Sequence, residues 1–94
     1  MTITGEPAFE IPAQVLYREV DGQMVLLDLA SEQYFGLDEV GADMVTRLTR
    51  QPFDEALSSL IADYEVEPET LHRDLDELVE SLVGAGLLER VAEG

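Results

Sequence analysis

The sequence has no cysteine, no lysine and no tryptophan, and it has no long run of apolar residues. Without cysteine the chain cannot form disulfides, thiolate zinc sites or a thiol nucleophile. No apolar stretch approaches the roughly 20 residues of a membrane-spanning helix, and the first residues lack the basic and apolar segments of a signal peptide. We therefore expect a protein that does not associate with membranes and is located in the cytoplasm.

Basic side chains are also scarce, because 21 acidic residues stand against five arginines and give a formal net charge of −16. Nucleic-acid-binding proteins neutralise phosphates with basic side chains, so this balance argues against DNA or RNA as a ligand. An anionic membrane surface is disfavoured for the same reason. A peptide or protein partner with basic character is favoured instead, although acidity can also serve solubility alone.

The sequence has few side chains of the types that act as catalytic groups in enzymes. His72 is the only histidine, and Ser58 and Ser59 lie in a predicted helix without the glycines of a nucleophile elbow. Asp74 and Asp76 are two residues apart on a predicted helix and therefore point in different directions. The sequence has neither a phosphate-binding glycine-rich loop nor a calcium-binding loop. We predict a protein that is not an enzyme and that has no cofactor and no metal.

The first half of the chain has the pattern of an antiparallel sheet. Residues 15–20 and 24–29 are rich in β-favouring side chains and flank Asp21-Gly22, a dipeptide typical of tight hairpins. A third short strand is predicted at residues 34–37. Together these segments predict a three-stranded meander.

The second half of the chain has helical periodicity. Asp38 is the predicted N-cap of a helix over residues 39–50, Pro52 opens a second helix, and Pro68 opens a third. The third helix has six apolar positions over about four turns, so we expect it to be the main helix packed on the sheet. Its apolar positions are Leu71, Leu75, Leu78, Val79, Leu82 and Val83.

These elements predict an α+β fold of the winged-helix-like type, with a three-stranded antiparallel sheet followed by three helices. Residues 1–14 are predicted to form an extended N-terminal arm with a mobile end. Residues 15–91 are predicted to form the folded domain, and residues 92–94 a flexible C-terminus.

The element order and several segments resemble the PqqD-like family of peptide recognition elements. The segments that carry the resemblance are Leu27-Asp28, Tyr34-Phe35-Gly36-Leu37-Asp38, Gly41, Tyr64, Asp74-Leu75, Leu78-Val79, Leu82 and Gly86-Leu87-Leu88. The chain departs from the family at Asp38, where the family often has asparagine. It departs again in the turn at residues 30–32, which lacks the glycine common there.

The resemblance implies a non-catalytic protein that binds the leader segment of a ribosomally made, post-translationally modified precursor peptide. In that family the leader adds as a strand along the third strand of the sheet and fills the groove between that strand and the third helix. The leader-binding residues that the resemblance implies are Gln33, Tyr34, Phe35, Gly36, Leu37, Leu71, Asp74, Leu75, Glu77 and Leu78.

Free-standing members of this size occur in lasso peptide pathways, and residues 25–28 and 34–37 look most similar to those proteins. The implied partners are the precursor leader, a separate cysteine leader peptidase and an ATP-dependent cyclase. One alternative is a pyrroloquinoline quinone chaperone that presents its precursor to a radical enzyme. Another is a winged-helix DNA-binding regulator, against which the charge argues.

Overall fold

The computed structural model describes residues 7–91, which form five strands and three helices. The strands are β1 (Phe9–Glu10), β2 (Val15–Val20), β3 (Gln23–Asp28), β4 (Gln33–Leu37) and β5 (Glu89–Arg90), and the helices are α1 (Glu39–Leu48), α2 (Phe53–Tyr64) and α3 (Pro68–Gly84). The predicted α+β order, a three-stranded antiparallel sheet followed by three helices, is confirmed. The outer part of the predicted arm, residues 1–6, and the predicted flexible C-terminus, residues 92–94, lie outside the described residues.

The main sheet has the strand order β2-β3-β4, with every neighbouring pair antiparallel. Strands β2 and β3 are joined by a two-residue loop at Asp21-Gly22, where both residues have positive φ (53° and 83°). Positive φ at both central residues suits the right-handed twist of the flanking strands. The hairpin predicted from the Asp-Gly dipeptide is therefore confirmed.

Each helix begins close to where the sequence signals predict. The Asp38 carboxylate accepts a hydrogen bond from the N–H of Gly41 at 2.8 Å and so caps α1. Pro68 occupies the first turn of α3, where a missing N–H costs nothing. Helix α1 ends at Leu48, two residues earlier than predicted, because Thr49 forms its C-cap.

One hydrophobic core joins the helices to one face of the sheet. Leu26, Leu60, Leu75 and Leu82 are fully buried in it. Helix α1 packs on β3 and β4, and α2 lies between α1 and α3. The prediction that the third helix is the main helix on the sheet is wrong, because α1 packs closely on the sheet whereas α3 packs mainly on α2.

A second, two-stranded ribbon pairs β1 with β5 near the two ends of the described chain. Phe9 is buried, and its ring centroid lies 6.5 Å from the ring centroid of Phe53. The Arg90 Cζ lies 5.5 Å from the Phe9 ring centroid. The neighbouring carboxyl group of Glu10 raises the pKa of Glu89 by hydrogen bonding to it. The ribbon thus fixes the inner part of the predicted arm to the domain.

None of the helices within residues 7–91 is long and apolar enough to cross a membrane.

Candidate functional site

Strand β4 forms one edge of the main sheet. It pairs with β3 on one side, and no other strand within residues 7–91 pairs with its opposite side. In an antiparallel strand, alternate residues direct their N–H and C=O groups away from the paired neighbour. Five residues at about 3.4 Å each give roughly 17 Å of backbone that an added strand could pair with.

Strand β2 forms the opposite edge, so the structure offers two candidate templates. Two adjacent charged residues, Arg18 and Glu19, interrupt β2. Charged side chains on edge strands discourage the pairing of further strands. Strand β4 has the sequence Gln-Tyr-Phe-Gly-Leu, without charge or proline, and is the better template.

Phe35 marks the side of β4 on which a binding groove can form. Its cross-strand partner Leu26 is fully buried, so Phe35 projects to the same face as the core. Even so, Phe35 is 37% exposed, whereas Leu37, two residues further along that face, is buried. An aromatic ring is therefore left partly open at the helical side of the free edge.

The two β4 residues Tyr34 and Gly36 project to the other face of the sheet, opposite Leu27 and Val25 of β3. Tyr34 is 75% exposed. A strand added to β4 would continue this alternation, with every second side chain on the helical side beside Phe35. The predicted β4 residues thus divide into two sets, according to the face to which they project.

The predicted residues of α3 differ widely in access. Leu71 and Leu75 are buried in the core, with Leu75 at 0% exposure, while Leu78 is half-buried against the core. Asp74 and Glu77 are exposed. The surface that α3 offers at these positions therefore comes from Leu78 and the two carboxylates. Contact of all five with a peptide stays a prediction.

The turn between β3 and β4 is held by a carboxylate to which the sequence analysis assigned no role. Asp28 is buried, and it accepts hydrogen bonds from the Ala30 N–H (2.9 Å) and the Ser31 hydroxyl (3.0 Å). Its backbone C=O accepts from the Glu32 N–H at 2.7 Å. The sequence signal is an Asp at the end of a strand with a Ser three residues later, a pattern typical of side-chain-stabilised turns.

The end of α3 reaches this same turn. Gly86, just beyond the helix, has φ +78°, and a Cβ placed on it would lie 4.0 Å from the Asp28 Oδ2. Asp28 therefore lies where the start of β4 and the C-terminal end of α3 meet.

A polar cluster joins α1 to α2. The Arg47 Nε donates to Asp43 at 2.8 Å, Arg47 also pairs with Asp63, and the Tyr64 hydroxyl donates to Asp43 at 2.8 Å. Burial raises the pKa of Asp43, but the hydrogen bonds from Arg47 and Tyr64 outweigh it and hold this pKa below its usual range. Hydrogen bonding to Asp43 raises the pKa of Tyr64. The cluster fastens the two helices together.

The outer face of α3 carries further titratable side chains. His72 lies 3.1 Å from Asp76, and its ring packs edge-on against Phe53. Within residues 7–91, no group of three or more His, Asp or Glu side chains is arranged to hold a metal ion. Paired with a solvated carboxylate and packed on an aromatic ring, His72 has a structural role.

The comparisons with known proteins agree with this geometry. The family model of coenzyme PQQ synthesis protein D (PqqD) matches residues 23–88. The solved structure of TbiB1 in complex with the TbiA(beta) leader peptide is 33% identical, with a TM-score of 0.78, and the match covers 89% of this chain and 99% of that chain. That of lasso peptide synthetase B1 complexed with the leader peptide is 31% identical, with a TM-score of 0.74, and covers 87% and 98%. A search of the curated proteins finds no match.

Proposed function

Because the chain belongs to the PqqD family, we propose that it binds the leader segment of a ribosomally synthesised precursor peptide along the free edge of β4. The family consists of non-catalytic peptide-binding proteins, so the chain is not an enzyme. The observation that carries the proposal is that the edge strand β4 has no charged residue and that its Phe35 side chain is partly exposed. The two similar solved structures support it, since both contain a leader peptide.

Binding by strand addition needs two kinds of contact. The backbone of Gln33 to Leu37 supplies main-chain hydrogen bonds that fix the register of the leader, at about 1 kcal/mol net for each bond. Side chains of the leader on the helical side contact Phe35 and the half-buried Leu78, and each buried anchor contributes about 1.5–3 kcal/mol. After the cost of ordering the peptide, four or five bonds and two anchors give an affinity in the micromolar range.

Charge selects among leaders. Asp74 and Glu77 are exposed on α3, and the whole chain has a net charge of −16. A leader with basic residues is attracted and steered by this field, and each exposed ion pair adds about 0.2–1 kcal/mol. Binding should therefore weaken as the salt concentration rises.

The pathway and the other partners extend the same proposal. The likeness to lasso peptide synthetase B1 favours a lasso peptide precursor. A cysteine leader peptidase and an ATP-dependent cyclase would then act on the bound precursor in the cytoplasm. The family description favours a second candidate, a chaperone that presents the precursor of coenzyme PQQ to a radical enzyme. Titration with both classes of leader separates the two.

The decisive experiment compares Phe35→Ala with Tyr17→Ala. Both residues pair with Leu26, project to the helical face and are partly exposed, but Tyr17 lies on the opposite edge strand. Titrated by fluorescence anisotropy with a labelled leader, Phe35→Ala should weaken binding roughly tenfold, whereas Tyr17→Ala should bind like the wild type. The reverse result would move the site to β2, and the absence of leader binding in the wild type would refute the proposal.

Strand addition itself is tested on the peptide. N-methylation of single leader residues removes one main-chain donor at a time. Because alternate residues of an antiparallel strand face the neighbouring strand, methylation should weaken binding at every second position. A leader bound in another conformation would not show this alternation.

A further inference from the structure

Gly36 lies inside β4 although the chain itself does not require a glycine there. Its φ is not in the left-handed region, and a Cβ placed on it would meet nothing within 4 Å. A glycine weakens the interior of a strand, because it loses more conformational freedom on folding than other residues and has no side chain to pack. Glycine in a strand often marks a place where a ligand or another backbone comes close. No other strand within residues 7–91 pairs with the free side of β4, so such a neighbour comes from outside the described chain.

The hydrogen bonds of the sheet determine which side of β3 each of its residues faces. The Leu29 N–H donates to the Gln14 C=O at 2.9 Å, one pair beyond the β2–β3 register, so Leu29 faces β2. Alternate residues of an antiparallel strand direct their N–H and C=O groups to opposite neighbours. Val25 therefore also faces β2, and the residues on either side of it face β4. Asp28 agrees with this pattern, because its C=O accepts from the Glu32 N–H at 2.7 Å in the turn that leads to β4.

The same alternation determines which residues of β4 face its free edge. Leu26 faces β4, and its register partner is Phe35, so the N–H and C=O groups of Phe35 face β3. Tyr34 and Gly36 therefore direct their N–H and C=O groups to the free edge, with one donor and one acceptor each. A strand added to this edge forms its main-chain hydrogen bonds with the two β4 residues that project to the outer face of the sheet.

Gly36 leaves a gap on that outer face. Tyr34, two residues earlier on the same face, is 75% exposed, and Val25, the register partner of Gly36 on β3, is 42% exposed. An added strand would lie about 4.8 Å from β4 and roughly 10 Å from β3. A large side chain directly opposite Gly36 can therefore lie flat over the glycine backbone towards Val25. Tyr34 is its diagonal neighbour, at a distance that aromatic side chains reach.

We propose that Gly36 makes the chain select leaders that carry an aromatic residue directly opposite it in the added strand. The inference rests on the proposed function and deepens it, since it names a side chain that the leader must bring. An aromatic ring that covers a strand glycine restores the packing that the glycine lacks, and it gains a second aromatic contact with Tyr34. A small side chain would leave Tyr34 and Val25 uncovered. The leader residues on either side of the aromatic one project to the helical face, beside Phe35.

Gly36→Val tests the inference without disturbing the fold. The backbone conformation of Gly36 permits an L side chain, the space beside it is open, and β-branched residues favour strands. The variant should therefore unfold at the wild-type temperature or above it, as measured by circular dichroism. Its valine side chain occupies the space over the backbone that the aromatic ring of the leader needs. Gly36→Ala, which adds a single methyl group, is the second variant if the valine variant does not fold.

The measurement is a double-mutant cycle with a fluorescein-labelled leader peptide. Each leader residue is replaced in turn by alanine, and the affinity of every peptide for the wild type and for Gly36→Val is measured by fluorescence anisotropy. The unmodified leader should bind Gly36→Val roughly tenfold more weakly than the wild type. The leader with alanine in place of the aromatic residue should bind both proteins equally. Leaders with alanine at positions that project to the helical face are the matched controls, and they should keep the tenfold difference.

The cycle separates a contact with one leader residue from a general effect on the strand. An equal loss with every peptide would show that valine weakens strand addition as a whole, and it would overturn the inference. Coupling to a small or charged leader residue would overturn it as well, and so would equal affinity of the two proteins for the unmodified leader. In each of these cases the wild type still binds the leader, so the proposed function stands. A wild type that binds no leader would refute the proposed function itself and this inference with it.

Discussion

Replacement of Asp28 by alanine should lower the free energy of unfolding by about 2 kcal/mol. Asp28 is the buried charged residue of the described chain, and it accepts two hydrogen bonds from Ala30 and Ser31. Bonds to a charged group contribute about 1.5–3 kcal/mol each. The freed donors belong to exposed residues that water can reach, and removal of the carboxylate also removes its desolvation cost. The two hydrogen bonds together are worth about 3–6 kcal/mol, and these two offsets reduce the expected loss of stability to about 2 kcal/mol.

Urea unfolding followed by far-UV circular dichroism measures this loss. For a domain of this size, 2 kcal/mol corresponds to a fall of about 8–16 °C in Tm. Ser31→Ala is the matched control, because it removes one of the two hydrogen bonds and keeps the carboxylate. It should cost about half as much. If Asp28→Ala unfolds within about 0.5 kcal/mol of the wild type, the carboxylate does not hold the turn.

The same variant tests how the turn positions the binding edge. Asp28 lies where the start of β4 meets the end of α3, so its loss should loosen the edge that receives the leader. Under conditions where the variant is fully folded, its affinity for a labelled leader should fall. Unchanged affinity together with reduced stability would show that the turn stabilises the domain without positioning β4.

Two further predictions concern the helices. Glu65 forms the C-cap of α2 at φ 52°, a left-handed conformation that glycine adopts without strain. Glu65→Gly should therefore raise the free energy of unfolding, measured by urea titration, by about 0.5–1 kcal/mol. A decrease would contradict this. Because the folded pKa of Asp43 is held below its usual range, the stability it contributes is present above the usual pKa of about 4 and is lost as the pH falls through the folded value. Tyr64→Phe removes one of its hydrogen bonds, so a carboxyl NMR titration should show a higher pKa for Asp43, and an unchanged pKa would be evidence against the hydrogen bond.

Much of the fold can be predicted from the sequence because its signals are local. The Asp21-Gly22 dipeptide fixes a two-residue hairpin, and the Asp38 side chain caps the helix that follows the sheet. The β1–β5 ribbon has no such signal. Its strands have two residues each, too few for a period, and they pair Phe9 with Arg90 across nearly the whole chain.

The candidate site is predictable in part for the same reason. The position of β4 at the end of the meander predicts a free edge, but strand order alone leaves β2 as an equal candidate, and the charges on β2 decide between them. Helical periodicity places Leu71 and Leu75 on the inner face of α3. It does not show that neighbouring elements cover them completely. That depends on how the helices pack, and the prediction that α3 is the main helix on the sheet was wrong.

The β1–β5 ribbon brings the two ends of the described chain next to each other. The Val91 N–H donates to the Ala8 C=O at 2.9 Å, so the two ends of the described segment leave the domain at the same place. A neighbouring enzyme domain could therefore be fused before or after this module with nearly the same geometry. A short linker between the two ends would also permit circular permutation, with new termini opened at the exposed Asp21-Gly22 turn.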